Sequence, residues 1–362
     1  MQPIYTSSTR DVVNRGPLGR LLITTQAVDL DDPVLGFFHN WIVEFAKHCE
    51  SVEVICLKEV RHNLPGNVRV HSLGKETGRS RIKYLLNFYR YIFSARSKYD
   101  AVFVHMNQEY VLLSGLWWRL WGKKVVLWRN HKMGSWQTKV AAHLAQVVCY
   151  TSPAAYVAHF KNAVKMPIGI DTDIFKPPNT LPQTDSILFL GRLDPVKKCA
   201  EFMTVLETLV EQGAPFHADI YGEPTIIGDL YAEAFLTRAK LLQNTGFVTP
   251  YGAIANEKTP AVYAAHAIYV NLTPSGSFDK TIGEAMASGC IPVVANEVLR
   301  GVIPDEFIVD PNDTNKVAST IKMILSMSDE ARDSISKVTR EYIVKSHSLI
   351  LLTSRVMDVL NV

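Results

Sequence analysis

No stretch of this 362-residue chain is continuously apolar for the roughly 18 to 20 residues that a bilayer-spanning helix requires. The five cysteines (Cys49, Cys56, Cys149, Cys199, Cys290) are scattered, mostly inside apolar runs, without paired spacing. That excludes a disulfide scaffold and a zinc-type Cys cluster, and it suits reduced core thiols and a cytoplasmic protein. There is no internal repeat, no low-complexity tract and no recognised DNA- or RNA-binding module, so a nucleic-acid partner is not expected. The opening residues 1–17 lack an apolar stretch fit for a signal peptide and are expected to form a flexible extension. The whole sequence is 47% hydrophobic and 20% charged, the balance of a globular protein long enough for two cores. The net charge of +3 conceals an asymmetry: thirteen Lys or Arg stand against three acids between Lys75 and Lys139.

Apolar β-rich runs alternate with helical stretches almost throughout. Strands are expected at 21–25, 52–57, 68–73, 101–106, 124–128 and 147–151, with helices at 37–48, 81–97 and 153–160. A second series of strands is expected at 187–190, 217–221, 268–272, 291–295 and 307–309. Such alternation implies parallel sheets with crossover helices. The Pro-rich, aperiodic stretch 175–186 divides the series as a linker. The expected organisation is an N-terminal Rossmann-like domain over 18–174 and a C-terminal one over 187–345, facing each other across a cleft. A last helix over 346–362, with Leu349, Leu352, Val356 and Val359 on one face, is free to pack back on the first domain.

The segment Ser275–Pro292 (SGSFDKTIGEAMASGCIP) follows an apolar strand and opens a helix. First-turn amides lack intrahelical partners and sit at the positive end of the helix dipole, so such a junction suits a phosphate. A carboxylate one turn later, Glu284, is placed for a ribose diol. An ordinary βα unit has the same outline, and the loop alone does not decide. Gly191-Arg192 and Lys197-Lys198 follow the first strand of the second series, where an Arg fork and a Lys can grip a diphosphate. A solvated charged loop is the alternative. His105, with Asn107 beyond it, and His131 fall where strands end, and His39 and Gly36 lie at the first crossover helix. Each histidine could equally be structural. The pairs Asp29/Asp31 and Asp171/Asp173 are too commonplace to mark a metal site, and no metal is expected. Residues 79–98 and 115–136 mix Arg and Lys with Tyr, Phe and Trp. They suit an anionic membrane surface, or a core helix with solvated charges.

Together, Gly36, Gly191-Arg192 with Lys197 or Lys198, Gly169-Ile-Asp171-x-x-x-Phe175 and Glu284-Ala-Met-Ala-x-Gly289-x-x-Pro-Val resemble a glycosyltransferase of the GT-B fold. The chain looks close to glycosyltransferase family 4 (group 1) and distantly similar to bacterial phosphatidylinositol mannosyltransferases. The resemblance implies a retaining, metal-independent hexosyltransferase with no cofactor. Its donor would be a UDP- or GDP-linked sugar, and its acceptor a glycan or lipid-linked molecule. The scattered thiols and the basic aromatic stretches suit a protein that is cytoplasmic and peripheral on the inner face of the cell membrane. The resemblance further implies catalytic roles for His131, Arg192 and Lys197, the last two neutralising the leaving diphosphate. Donor contacts would come from Gly36, Lys198, Phe278, Asp279, Lys280, Thr281, Ile282 and Glu284. His39, His105 and Asn107 would lie on the acceptor side. One position departs from the pattern: Gly276 stands eight before Glu284, where the family has a first glutamate. Either Asp279 substitutes for it, or backbone amides hold the sugar. A binding protein without turnover, or a sugar-nucleotide epimerase on the same plan, are the rival readings.

Overall fold

The structure, a computed structural model, describes residues 18–78, 80–178, 183–226, 228–274 and 278–360. The expected extension over 1–17, the middle of the expected linker and Gly276 lie outside the described residues.

The first sheet has seven parallel strands. In chain order its elements are β1 (Leu18–Val28), α1 (Phe37–Lys47), β2 (Cys49–Glu59), β3 (Val68–Ser72), α2 (Arg81–Ser94), β4 (Ala101–His105), α3 (Gln108–Leu120), β5 (Lys124–Trp128), α4 (Trp136–Leu144), β6 (Val147–Tyr150) and β7 (Ala163–Lys165). The spatial order is β3-β2-β1-β4-β5-β6-β7, so the winding reverses between β1 and β4. All five residues of β4 are buried because helices cover both faces of the sheet. On one face α1 contributes Phe38, Trp41, Ile42 and Phe45; on the other, α2, α3 and α4 contribute Phe88, Ile92, Val111, Trp118 and Ala141.

The second sheet has five parallel strands. It comprises β8 (Gln183–Leu190), α5 (Cys199–Glu211), β9 (His217–Tyr221), α6 (Leu230–Gln243), β10 (Val248–Gly252), α7 (Thr259–Ala264), β11 (His266–Asn271), α8 (Lys280–Ala287), β12 (Ile291–Val294), α9 (Thr314–Leu325) and α10 (Asp329–His347). Its order, β10-β9-β8-β11-β12, reverses between β8 and β11. The fold is therefore two Rossmann-like α/β domains, each with a switch point at the carboxyl ends of its central strands.

The final helix, α11 (Leu349–Leu360), belongs to the first domain's core: Leu349, Leu352, Val356 and Leu360 pack with Phe38 and Trp41. The chain thus crosses between domains twice, and the crossings run side by side. The Ile170 amide donates to the His347 carbonyl at 2.9 Å, and the Leu349 amide to the Ile170 carbonyl at 2.7 Å. Gly169 makes this possible. Its φ is +72°, and a Cβ there would lie 2.4 Å from Leu352 and 2.7 Å from Trp41.

Two sequence expectations fail. Residues 153–160 form successive turns rather than a helix, because the Tyr156 amide is taken by the His131 carbonyl at 2.9 Å. Residues 307–309 make only an isolated bridge, Val294 to Ile308, instead of a strand. The short edge strands β7 and β10 were not anticipated; β10 carries Pro and Gly, which mask a strand pattern.

Candidate active site

A cavity of about 660 Å³ opens at the switch point of the second sheet. That is ample for a small-molecule ligand. Pro33, Val34 and Phe37 of the first domain wall one side; Arg192, Lys197, Asp279, Lys280, Thr281 and Glu284 wall the other. Gly191 follows β8 directly and passes against the end of β9. The Gly191 amide donates to the Tyr221 carbonyl at 3.0 Å, and a Cβ on Gly222 would fall 1.9 Å from the Gly191 carbonyl oxygen. This contact requires glycine at 222, a position the sequence reading missed.

Arg192 stands 53% exposed at the cavity with Asp194 at 3.4 Å. A single 3₁₀ turn over Pro195–Lys197 then sends the two lysines in opposite directions. Lys197 turns inward and its Nζ donates to Asp279 Oδ2 at 2.5 Å. Lys198, with φ +58°, turns away and bonds Glu201 at 2.7 Å and Asn312 at 3.0 Å. Of the two candidates, only Lys197 reaches the cavity.

Asp279 occupies the N-cap of α8 but makes no side-chain cap bond. Its carboxylate instead accepts from Lys197 and from Asn271 Nδ2, the latter at 3.3 Å. The Ile282 amide donates to the Asp279 carbonyl at 3.1 Å and its side chain is buried, so Ile282 does not face the cavity. Phe278 is likewise buried, edge-on to His347 with centroids 5.1 Å apart. Gly283 lets α8 press on the crossover segment, since a Cβ there would be 2.6 Å from Ile168.

Lys280 joins the domains. Its Nζ donates to the Gly169 carbonyl at 2.8 Å and lies 4.6 Å from the centre of the Phe37 ring. Glu284, one turn on, is buried; Tyr263 donates to its Oε2 at 3.4 Å and Lys280 is 3.9 Å away. Burial pushes the Glu284 carboxyl up, to about 7, against the opposing pull of the Lys280 charge. Burial also lowers the proton affinity of Lys280.

The remaining candidates lie elsewhere. His105 is enclosed in the first domain's core, stacked on Phe38 at 3.8 Å with its Nδ1 3.1 Å from Thr25 Oγ1. Burial drives its pKa down to about 3, so it is a neutral core side chain. His39 is also buried and accepts the Asn63 amide at 3.1 Å. Asn107 sits at the end of β4 and accepts from Gln26 at 2.7 Å. His131 is exposed after β5, its Nδ1 accepting the Met133 amide at 3.0 Å, and does not line the cavity. Gly36 starts α1 where a Cβ would meet the Asp32 carbonyl at 2.6 Å and Asn256 of the other domain at 3.1 Å, so it serves close packing beside the cavity. Among the described residues no three His, Cys, Asp or Glu side chains gather as metal ligands. Asp29 and Asp31 pair instead with Lys58 and Arg61.

Tyr263 and Asn271 complete the site and were not singled out from sequence. Each lies in an apolar run that reads as core, and only the packing of α7 and β11 beside α8 brings them to the carboxylates.

Residues 184–327 match the family model described as glycosyl transferases group 1. A search of the curated proteins finds no match. Among solved structures, Anabaena HepE in complex with UDP is similar at a TM-score of 0.72 and 14% identity, over 94% of this chain and 99% of that one. A glycosyltransferase from Rickettsia africae gives 0.70 and 13%, over 94% and 98%. Sucrose-phosphate synthase from Thermosynechococcus elongatus gives 0.66 and 18%, also over 94% and 98%. The two domains therefore have the GT-B fold, and the C-terminal domain is similar to the group 1 glycosyl transferases over residues 184–327.

Proposed function

We propose that the protein is a retaining glycosyltransferase that moves a sugar from a UDP- or GDP-linked donor to a glycan or lipid-linked acceptor in the cytoplasm. The observation that carries this reading is the placement of Arg192, Lys197 and Glu284 around one cavity at the switch point of the C-terminal domain. HepE, of the same fold, has been solved with UDP and with UDP-glucose. Arg192 and Lys197 bring two cations to the position of a leaving diphosphate, and fixed cations in an enclosed cleft stabilise charge as it develops. They give the neutralising role to side chains, which is why we assign a metal-independent reaction.

Lys197 is held by Asp279. Donor binding exchanges that carboxylate for a phosphate oxygen and frees Asp279 to accept from sugar hydroxyls, in place of the glutamate absent at Gly276. The Lys280 and Thr281 amides at the start of α8 face the distal phosphate. Glu284 accepts from the ribose diol. His131 enters only if the loop after β5 turns toward the cavity. The N-terminal wall, with Phe37, excludes the water that would otherwise compete as acceptor.

A second reading, a protein that binds the donor without turnover, is favoured by the carboxylate that each of the two cations already faces, Asp279 on Lys197 and Asp194 on Arg192. The test offers purified protein a panel of UDP- and GDP-sugars with and without glycan acceptors, measuring nucleotide binding and release. Release that depends on an acceptor identifies a transferase; product anomer analysis then tests retention, and chelator treatment tests metal independence. Binding without release favours the second reading. Neither binding nor release from the whole panel would sink both.

A further inference from the structure

We propose that the outer face of α2, α3 and the start of α4 docks on an anionic membrane surface. On α2, Ile82 (74% exposed), Leu86 (66%), Tyr89 and Phe93 (40%) recur at spacings of three and four, so they share one side of the helix. That side faces outward, because Phe88 and Ile92 are the residues buried against the sheet. On α3 the same holds for Leu113, Leu116 (60%), Trp117 and Leu120 (69%), with Val111 and Trp118 buried beneath. The two stripes form one surface: the rings of Phe93 and Trp117 are 5.5 Å apart, and Tyr89 donates to the Leu113 carbonyl at 3.1 Å. Met133, Trp136 and Val140 are also exposed, on the segment before α4 and on α4, the helix that packs beside α3. Solitary exposed apolar residues need no explanation, whereas a patch joined across two adjacent helices marks an interaction site.

Charge identifies the occupant. Residues 81–140 hold eleven Lys or Arg and two acids, Asp100 and Glu109. Asp100 is engaged by Arg20 and Lys123. Arg81, Arg90, Arg96 and Lys98 flank the apolar stripes with no carboxylate pairing among the described residues. A second copy of this face would set cations against cations. A bilayer with anionic headgroups accepts both parts at once, taking the Leu, Ile and Phe side chains below the headgroups and the basic side chains among them. The rings of Tyr89, Trp117 and Trp136 suit that boundary. No described helix is long and apolar enough to cross a membrane, so the protein would lie on the surface.

All three helices begin at the carboxyl edge of the sheet, the edge that carries the cleft. Met133 and Trp136 follow β5 directly, beside His131. A membrane docked here would lie next to the acceptor side. The relevance to a lipid-linked acceptor rests on the proposed transferase reading, but the docking itself does not.

The test is flotation of purified protein with vesicles of phosphatidylcholine alone, and of two parts phosphatidylcholine to one part phosphatidylglycerol, without donor. Binding is expected to the anionic vesicles, falling as salt is raised. The double variant Leu86→Glu, Leu116→Glu should weaken it roughly tenfold or more, and so should the triple variant Arg81→Gln, Arg90→Gln, Arg96→Gln. Both sets are exposed, and melting curves check that each variant folds. Absent binding, equal binding to both vesicle types, or anionic binding unchanged in both variants would overturn the proposal. Dimerisation abolished by the leucine changes, without vesicle binding, would also overturn it in favour of a second copy. Because no nucleotide is present, failure here leaves the transferase reading intact, and failure of nucleotide release leaves this one intact.

Discussion

The two domains share a strand order but use their switch points differently. In the N-terminal domain the side chains at the ends of β1 and β4 satisfy one another: Gln26 bonds Asn107, Thr25 contacts His105, and Tyr110 donates to the Thr25 carbonyl at 3.2 Å. His105 is buried under aromatic rings. In the C-terminal domain the equivalent ends carry Arg192, Lys197 and, across the gap, Asp279 and Glu284, all on a cavity wall. One topology thus yields a packed edge in one domain and a charged, accessible edge in the other. The difference lies in charge and access: the N-terminal edge is closed by neutral groups packed on one another, whereas the C-terminal edge carries ion pairs, Lys197 with Asp279 and Arg192 with Asp194, that line an open cavity where a ligand can exchange with one partner.

The largest expected effect tests the backbone contact on which the charged edge depends. Gly222→Ala places a Cβ against the Gly191 carbonyl and should destabilise the C-terminal domain by about 3 kcal/mol. A melting temperature and nucleotide affinity equal to wild type would break the claim that this contact shapes the site. Arg192→Ala should weaken donor binding by about 1.5–3 kcal/mol through lost charge-assisted contacts, measured by calorimetry; unaltered affinity would remove Arg192 from the site.

Glu284→Gln sharpens the comparison through pH. The carboxyl titrates higher in the folded protein (about 7) than its ordinary value of 4.5, so between those values the folded state binds more protons than the unfolded state. Stability should therefore fall as pH rises through that window. The Gln variant should lack that component, and so gain relative stability above neutrality while losing donor affinity. Denaturant titrations at about pH 5 and about pH 8 would show it; identical pH slopes in both proteins would refute the assignment. The smallest effect is expected for His105→Phe, within about 1 kcal/mol in stability and with donor affinity unchanged, because the ring is already stacked in an apolar core. A large loss of transferase activity with normal folding would show that the N-terminal edge is functional after all.

Much of the site was legible because strand ends and helix starts announce themselves. Gly191-Arg192 ends one apolar run, and Lys280 to Glu284 opens the helix after another. Which lysine faces inward was not legible. Lys197 and Lys198 are adjacent and chemically identical, and only the left-handed backbone at 198 separates them. The burial of two histidines was not legible either: His39 and His105 fall at helix and strand boundaries that suit an acceptor-side role, yet packing encloses both. The edge strands and the turns at 153–160 were obscured because bonds from distant carbonyls, such as that of His131, decide them.

By itself, the sequence determined the two Rossmann-like halves and the chemistry available to the second, because these follow from periodicity and from local strand–loop–helix grammar. Tertiary structure alone decided which of those groups meet. It set Asp279 on Lys197, Tyr263 on Glu284 and Lys280 on Gly169, and it returned α11 to the first domain through the paired crossing at Ile170 and Leu349. Such contacts join residues tens to hundreds of positions apart. The first two depend on how the C-terminal domain packs on itself and the others on how the two domains meet, which no local pattern encodes.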